Sequence, residues 1–421
     1  MQKVLIVTYY WPPGSGAGVQ RWLKFSKYLA KLGWKPVILT VDPDFAVYPA
    51  IDQSLNDEIT PGLAVYKTRA RNYFRLYKKD KSKIPSAGFA IDEETGFFSR
   101  FTRFVRGNLF IPDPRKGWNR HAFEKACEII ESQKIDRFIT TSPPHSTQLI
   151  GLRIKKRYPE IRWIADLRDP WTDIYYYDKF YPTFFSRKID CRYEKSVLKS
   201  ADRIITVGNL LKELFSSKIP GIGEKISVIS NGYDEEDFKG LNPSIPEIFT
   251  ISYIGTLPDS YPLYGFLNAL KLLRSSGMDF RLKFIGFVSP AQRDLIASAL
   301  EKSEAEYIQY VDHRAAISYM LDSSALLLII PDHVSSRSII TGKLFEYIAA
   351  GKPVICIGPA DGDAANILEE TGHGKTFNYG DSGGISDYLM LLSSNPGINE
   401  KVSPSIYSRE NLVKRVIELL H

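Results

Sequence analysis

Cysteine is scarce in this chain. Three stand in 421 residues, Cys127, Cys191 and Cys356, far apart and without paired spacing. That excludes a disulfide framework or a cysteine zinc site and fits a reducing compartment. Long apolar runs are missing too, since stretches such as Ala325 to Ile330 are far too short to cross a bilayer. Met1 to Thr8 runs straight into strand-like sequence with no secretory signal. The expectation is a cytoplasmic protein, with peripheral attachment to the inner face of the membrane left open. No Walker loop, His-Glu-x-x-His zinc helix or Gly-x-Ser-x-Gly elbow is present. Two Asp-x-Asp triplets, Asp42-Pro-Asp44 and Asp361-Gly-Asp363, are cheap by chance among 48 acids and read as loop residues. Neither a metal nor a cofactor is expected.

What the chain does hold is ordinary globular material, 44% hydrophobic and 24% charged, in a length that implies two domains. A net charge of +7 points to an anionic partner: a membrane surface, nucleic acid or a phosphorylated ligand. No nucleic-acid-binding module supports the second of these.

The opening is a βαβ unit. Val4 to Thr8 is an apolar run, Trp11-Pro-Pro-Gly-Ser-Gly-Ala-Gly18 a glycine-rich loop, and a helix follows with Val19, Trp22, Leu23, Ser26, Leu29 and Ala30 on its inner face. Pro36 to Val41 is the second strand. Glycines between strand and helix let backbone N–H groups approach a phosphate or sugar closely. The dinucleotide pattern G-x-G-x-x-G is not met, because Val19 stands where its third glycine belongs.

From 67 to 118 the α/β rhythm breaks. Lys67 to Lys83 carries eight Lys/Arg against one acid, Asp80, interleaved with Tyr73, Phe74 and Tyr77. Phe97, Phe98, Phe101, Phe104 and Val105 then share one helical face, with Arg100, Arg103 and Arg106 on the opposite side. Such a helix suits a lipid interface, and it equally suits phenylalanines packed on the domain with solvated arginines. Arg21, Arg100, Arg103 and Arg106 are assigned to acceptor or membrane contact. Rhythm then resumes. Ile135 to Thr140 and Arg162 to Ala165 read as strands whose carboxyl ends carry Ser142-Pro-Pro-His145 and Asp166-Leu-Arg-Asp-Pro-Trp171. That edge is where open α/β sheets bind ligands.

Gly240-Leu-Asn-Pro-Ser-Ile-Pro246 reads as a linker, and strand–helix alternation restarts at Phe249 with Gly255-Thr256 after the new strand. The domains are expected at 1–240, with the basic aromatic insertion at about 67–118, and at 247–405, with a closing helix at 406–421. Near the end of the second domain, Thr341 is placed to cap a helix that Gly351-Lys352-Pro353 ends, with Leu344, Phe345, Ile348 and Ala349 on its apolar face. Lys343 and Glu346 lie three residues apart on another face, beside the positive end of the helix. This spacing suits a diphosphate with a carboxylate for sugar hydroxyls, or an exposed ion pair.

Taken in order along the chain, these features resemble family 4 glycosyltransferases of the GT-B fold, particularly members from bacterial surface-polysaccharide clusters. The likeness rests on the glycine loop, Phe110-Ile-Pro-Asp-Pro-Arg115, Ser142-Pro-Pro-His145, Asp166-Leu-Arg-Asp-Pro-Trp171, Val228-Ile-Ser-Asn-Gly-Tyr-Asp234, Tyr253-Ile-Gly-Thr256 and Lys343-Leu-Phe-Glu-Tyr-Ile-Ala-Ala-Gly-Lys-Pro-Val354. It implies an α/β chain of two tandem Rossmann-like doubly wound domains facing a cleft, with the terminal helix crossing back to the first. It implies transfer of a sugar, with retention and without a metal, from a nucleotide-sugar donor to a saccharide or lipid-linked saccharide. By the same resemblance Glu346 binds ribose, the N–H groups of Ile339, Ile340, Thr341 and Gly342 face the diphosphate or sugar, and Gly16 and Ala17 close on the donor. Gly255 and Thr256 form the second glycine turn, His145 stands beside the transferred sugar, and His313 meets the nucleotide base.

Two departures stand out. Ser338 occupies the place of the first motif acid, whose contact is then lost or remade by Asp332 or Arg337. The cations that normally follow the Gly-Thr turn are missing from Leu257-Pro-Asp-Ser-Tyr-Pro262. Lys343 is the first substitute and Arg168 the second. A nucleotide-sugar 2-epimerase on the same fold, or a non-catalytic scaffold, are the alternatives.

Overall fold

Continuous apolar runs form parallel strands here, and the periodic segments between them form helices. In the computed structural model, which describes residues 1–73, 97–395 and 403–421, these elements make two units. One is Met1–Ser230 with Arg409–His421, and the other is Asn231–Ser408. The basic run from Phe74 to Lys83 lies outside the described residues.

The first unit runs β1 (Lys3–Val7), α1 (Ala17–Lys31), β2 (Lys35–Val41), β3 (Ala64–Thr68), α2 (Phe97–Leu109), α3 (Asn119–Gln133), β4 (Arg137–Ser142), α4 (Ser146–Arg157), β5 (Arg162–Leu167), α5 (Phe184–Ser200), β6 (Arg203–Thr206), α6 (Asn209–Lys218) and β7 (Ile226–Val228). Among the described residues its seven strands form one parallel sheet, ordered β3-β2-β1-β4-β5-β6-β7. Ile6 of β1 lies between Ile38 of β2 and Ile139 of β4, all in the core. The strand order reverses between β1 and β4, which opens a ligand crevice outside their carboxyl ends.

The second unit runs β8 (Phe249–Ile254), α7 (Tyr264–Ser275), β9 (Phe280–Ile285), α8 (Pro290–Ala299), β10 (Ala305–Ile308), α9 (His313–Leu321), β11 (Ala325–Ile329), α10 (Gly342–Ala349), β12 (Val354–Ile357), α11 (Asp363–Thr371), β13 (Gly374–Phe377) and α12 (Ser382–Ser394). Among the described residues its sheet has six parallel strands, β10-β9-β8-β11-β12-β13, and reverses between β8 and β11. The final helix, α13 (Arg409–Leu420), belongs to the first unit, where Leu412, Val413, Val416 and Leu420 join the core. Among the described residues no helix is long and apolar enough to cross a membrane.

Two sequence boundaries need correction. Residues 231–240 pack with the second unit rather than ending the first. The Tyr233 N–H donates to the Tyr407 carbonyl at 3.1 Å, and Phe238 packs on the second unit's core. Gly240 and the prolines after it mark a surface turn inside that unit. For the same reason residues 406–408 stay with the second unit, and the closing helix starts at Arg409. The insertion is also shorter than read: Lys67 and Thr68 are edge strand, and Trp118 is buried core.

Candidate active site

In the second unit, burial of Leu344, Phe345, Tyr347 and Ile348 fixes α10 against the sheet. The Tyr347 hydroxyl accepts the Ile254 N–H at 3.1 Å, which locks the helix to the end of β8. Thr341 occupies the N-cap position with extended backbone, yet its buried Oγ1 makes no hydrogen bond. A buried hydroxyl left this way costs free energy until a partner arrives. Ile339 and Ile340 are half-buried in the stretch leading to it.

Lys343 and Glu346 do not pair. Lys343 Nζ donates to the Tyr253 hydroxyl at 3.2 Å and stands 4.4 Å from that ring's centroid. Tyr253 in turn donates to the Thr256 carbonyl at 2.7 Å, so one hydroxyl holds both the lysine and the turn. Among the described residues no carboxylate lies within ion-pair distance of Lys343. Burial lowers its pKa to about 8, against the pull of Glu346. The cation thus rests on the Gly255–Thr256 turn, at the β8/β11 reversal.

Gly255 has φ +116°, and a Cβ there would stand 2.6 Å from Lys343 Nζ. Gly255→Ala is therefore expected to cost ~1–3 kcal/mol in backbone strain and to displace the lysine. A urea midpoint equal to that of the unchanged protein would contradict this.

Glu346 meets His313 instead, with Oε1 3.1 Å from Nε2, while Nδ1 lies 3.9 Å from Asp237. His313 opens α9, after the Asp312 cap. Ser338 Oγ donates to the Ser335 carbonyl at 3.1 Å, and Arg337 pairs with Asp361 at 3.0 Å. Asp332 is exposed.

In the first unit the carboxyl edge gathers a second set. Gly16 takes φ +95° just before α1, where Ala17 begins the helix. Arg168 lies against this loop, its Nη2 3.7 Å from where a Cβ on Gly18 would sit, and its Nε donates to the Ser142 carbonyl at 3.1 Å. His145 precedes α4 and stacks on Trp171, with centroids 4.9 Å apart at 13°. Burial lowers the His145 pKa to about 4, so the ring is neutral at physiological pH, and its buried Nδ1 makes no hydrogen bond. Together with Tyr10, Asp113, Arg115 and Tyr176, this pair lines a cavity. Behind it Asp190 accepts from Trp171 Nε1 at 2.7 Å and from the Tyr177 hydroxyl at 3.0 Å. Burial raises its pKa to about 6.

Arg21 must be reassigned. It is 1% exposed and bidentate to Asp166, at 3.3 and 3.1 Å, so it touches neither membrane nor acceptor. Its position on the inner side of α1 puts it beneath the sheet edge, where only a carboxylate makes burial of a guanidinium tolerable. Arg106 lines the unit-one cavity, 4.1 Å from the Phe180 ring, while Arg100 is exposed and Arg103 half-buried. Sequence reasoning named the Asp166 segment without singling out Asp166 itself. A charged residue inside an apolar strand was the available signal. Asp113 and Tyr253 likewise stood inside named segments without being singled out, and Asp190 carried no signal.

No family model and no curated protein matches the chain. Solved structures do. HepE of Anabaena, solved in complex with UDP, shares 11% identity at a TM-score of 0.61, over 100% of this chain and 99% of its own. A glycosyltransferase of Rickettsia africae shares 16% at 0.58, over 100% and 94%. A putative UDP-N-acetylglucosamine 2-epimerase of Listeria monocytogenes shares 12% at 0.55, over 99% and 94%. At such identities the likeness is one of fold: this chain has the two-unit α/β architecture, GT-B, common to these proteins.

Proposed function

We propose that the chain transfers a sugar from a nucleoside-diphosphate sugar to a saccharide acceptor. The acceptor is carried on a lipid, and the product belongs to a cell-surface polysaccharide. The observation that carries this reading is the placement of Lys343. An unpaired-carboxylate cation set against a glycine turn at the strand-order reversal is a preorganised site for a diphosphate. The start of the same helix, with the first two N–H groups of α10 and the Thr341 hydroxyl, adds neutral donors. In the reaction the bond from the anomeric carbon to the phosphate oxygen breaks, and its electron pair passes to the diphosphate. The acceptor oxygen bonds to that carbon on the face the diphosphate leaves, with retained configuration, and its proton passes to the departing phosphate oxygen. Lys343 opposes the charge that grows on the leaving group. His145, neutral beside Trp171, orients the acceptor in the first unit's cavity.

Glu346 offers its second oxygen to the ribose while His313 holds the first. Loss of a charge-assisted hydrogen bond costs ~1.5–3 kcal/mol, so Glu346→Ala is expected to lower kcat/KM about ten- to a hundred-fold, mainly through KM. Unchanged donor affinity in that variant would remove the ribose assignment. The fold shared with a putative epimerase keeps one competing reading in play. Incubating the donor alone separates the two, because an epimerase converts it without an acceptor and a transferase leaves the sugar's configuration intact.

A further inference from the structure

Large apolar side chains of the first unit stand in solvent on two neighbouring segments: Phe101 and Phe104 on α2, with exposures of 55% and 43%, and Tyr181 just before α5 with Phe184, Phe185 and Ile189 in its first turns, with 44%, 72%, 74% and 44%. Scattered singly such residues mean little, but grouped they mark an interaction surface. One side chain brings these together. Asn108 Nδ2 donates to the carbonyls of Phe104 and Tyr181, at 2.8 and 3.0 Å. Its Oδ1 accepts from the Thr183 N–H and the Ser186 hydroxyl, both at 2.7 Å. Gly107 permits the approach, since a Cβ there would stand 2.3 Å from the Phe180 carbonyl oxygen. Phe104 lies one helical turn before Asn108 and so faces the same way, toward the start of α5.

The charges on this face have one sign. α2 contains no acid, and the two acids of α5, Asp190 and Glu194, are buried on its inner side. Arg100, Lys188, Arg192 and Lys195 are exposed beside the aromatic residues. Asp178, exposed nearby, is held by Arg187. Helices that show solvent their phenylalanines and cations together, and their carboxylates to the interior, reverse the usual patterning of a soluble surface.

We propose that this surface, α2 with the first turns of α5, docks the protein on an anionic lipid bilayer. The phenylalanines enter the acyl boundary while the long basic side chains reach the headgroups. A bilayer suits it better than a protein because the cations meet a continuous negative surface. The proposal concerns where the protein works and stands apart from the donor site: vesicle binding needs no nucleotide, and nucleotide binding needs no vesicle.

The test is vesicle flotation with the full chain, using phosphatidylcholine alone and phosphatidylcholine mixed with phosphatidylglycerol. The unchanged protein is expected to float with the mixed vesicles only, and less at high salt. Phe184→Ser/Phe185→Ser is expected to lower partitioning about a hundred-fold, given the apolar area withdrawn from the lipid. Lys188→Glu/Arg192→Glu is expected to lower it about ten-fold or more. All four side chains are exposed, so circular dichroism is expected to stay unchanged. Failure of the unchanged protein to float, or equal flotation of the double-serine variant, would overturn the proposal. So would sedimentation showing a dimer that the double-serine variant splits, since the face would then belong to a second copy.

Discussion

Asp166→Ala is expected to destabilise the first unit by ~3–5 kcal/mol, the cost of removing one partner of a buried ion pair. The Asp166 carboxylate is 0% exposed. It accepts from Arg21 Nε and Nη2, from Trp22 Nε1 at 2.7 Å and from Thr141 Oγ1 at 2.7 Å, with Arg168 Nε at 3.9 Å. Burial pulls the Arg21 pKa down and Asp166 pulls it up, so the carboxylate is what keeps that guanidinium charged in place. Arg21 also donates to the carbonyls of Ile229 and Ser230, at 2.9 and 2.7 Å, where the chain leaves the first unit. One carboxylate thus ties α1, β4 and β5 and, through Arg21, the residues at which the chain leaves the unit. Urea denaturation with near-UV detection measures the loss. A change below ~1 kcal/mol would mean the cluster relaxes or hydrates, against the burial described. Arg168 and Trp171 sit on the segment Asp166 anchors, so turnover is expected to fall with stability.

Lys343→Met is expected to lower kcat by on the order of a hundred-fold, as loss of a preorganised leaving-group cation does. The pH profile carries the sharper version. Burial places the Lys343 pKa near 8, so the cation is present below that value and lost as pH rises through it. Wild-type kcat/KM, which reports the donor-free enzyme, is expected to fall across this range, and the Met variant to show a flat profile there. Stability moves in the opposite direction. Between about 8 and the ordinary 10.5 the unfolded chain keeps the proton that the folded chain has released, so folding becomes more favourable as pH rises. Lys343→Met is expected to lack that rise. Normal turnover in the variant would remove that role from Lys343.

Most of the architecture was legible in the sequence because its central strands are apolar runs. β1, β11 and β12 show this plainly, as Val4-Leu-Ile-Val7 and Val354-Ile-Cys-Ile357 illustrate. The edges were not legible. β3 is only half-buried and β13 has four residues, so neither presents a run that distinguishes strand from loop. The partition at Ser230 was hidden for a different reason: Pro and Gly mark turns, and only packing decides which core a turn serves.

The site divides in the same way. Spacing left Lys343 and Glu346 open between an ion pair and a ligand site, and helix periodicity had no means to choose. The choice came from Tyr253 and His313, residues far away in sequence, each of which takes one of the two charges. Arg21 failed outwardly for a related reason, since a buried arginine looks like an exposed one until its carboxylate is located. α5 yielded least to sequence reading. Its aromatic start resembles a core helix, and only the burial of Asp190 and Glu194 shows which side faces inward.

The central claim is that the second unit binds a nucleoside diphosphate through Lys343. Titration calorimetry with UDP and a panel of nucleotide sugars, run near pH 8 in buffers of differing ionisation enthalpy, tests it directly. The account predicts binding of at least one of them with uptake of protons, because a diphosphate raises the pKa that burial holds near 8. It predicts that Lys343→Met loses the proton uptake and most of the affinity. Absence of binding to every nucleotide tested would contradict the account and leave a GT-B fold without a donor.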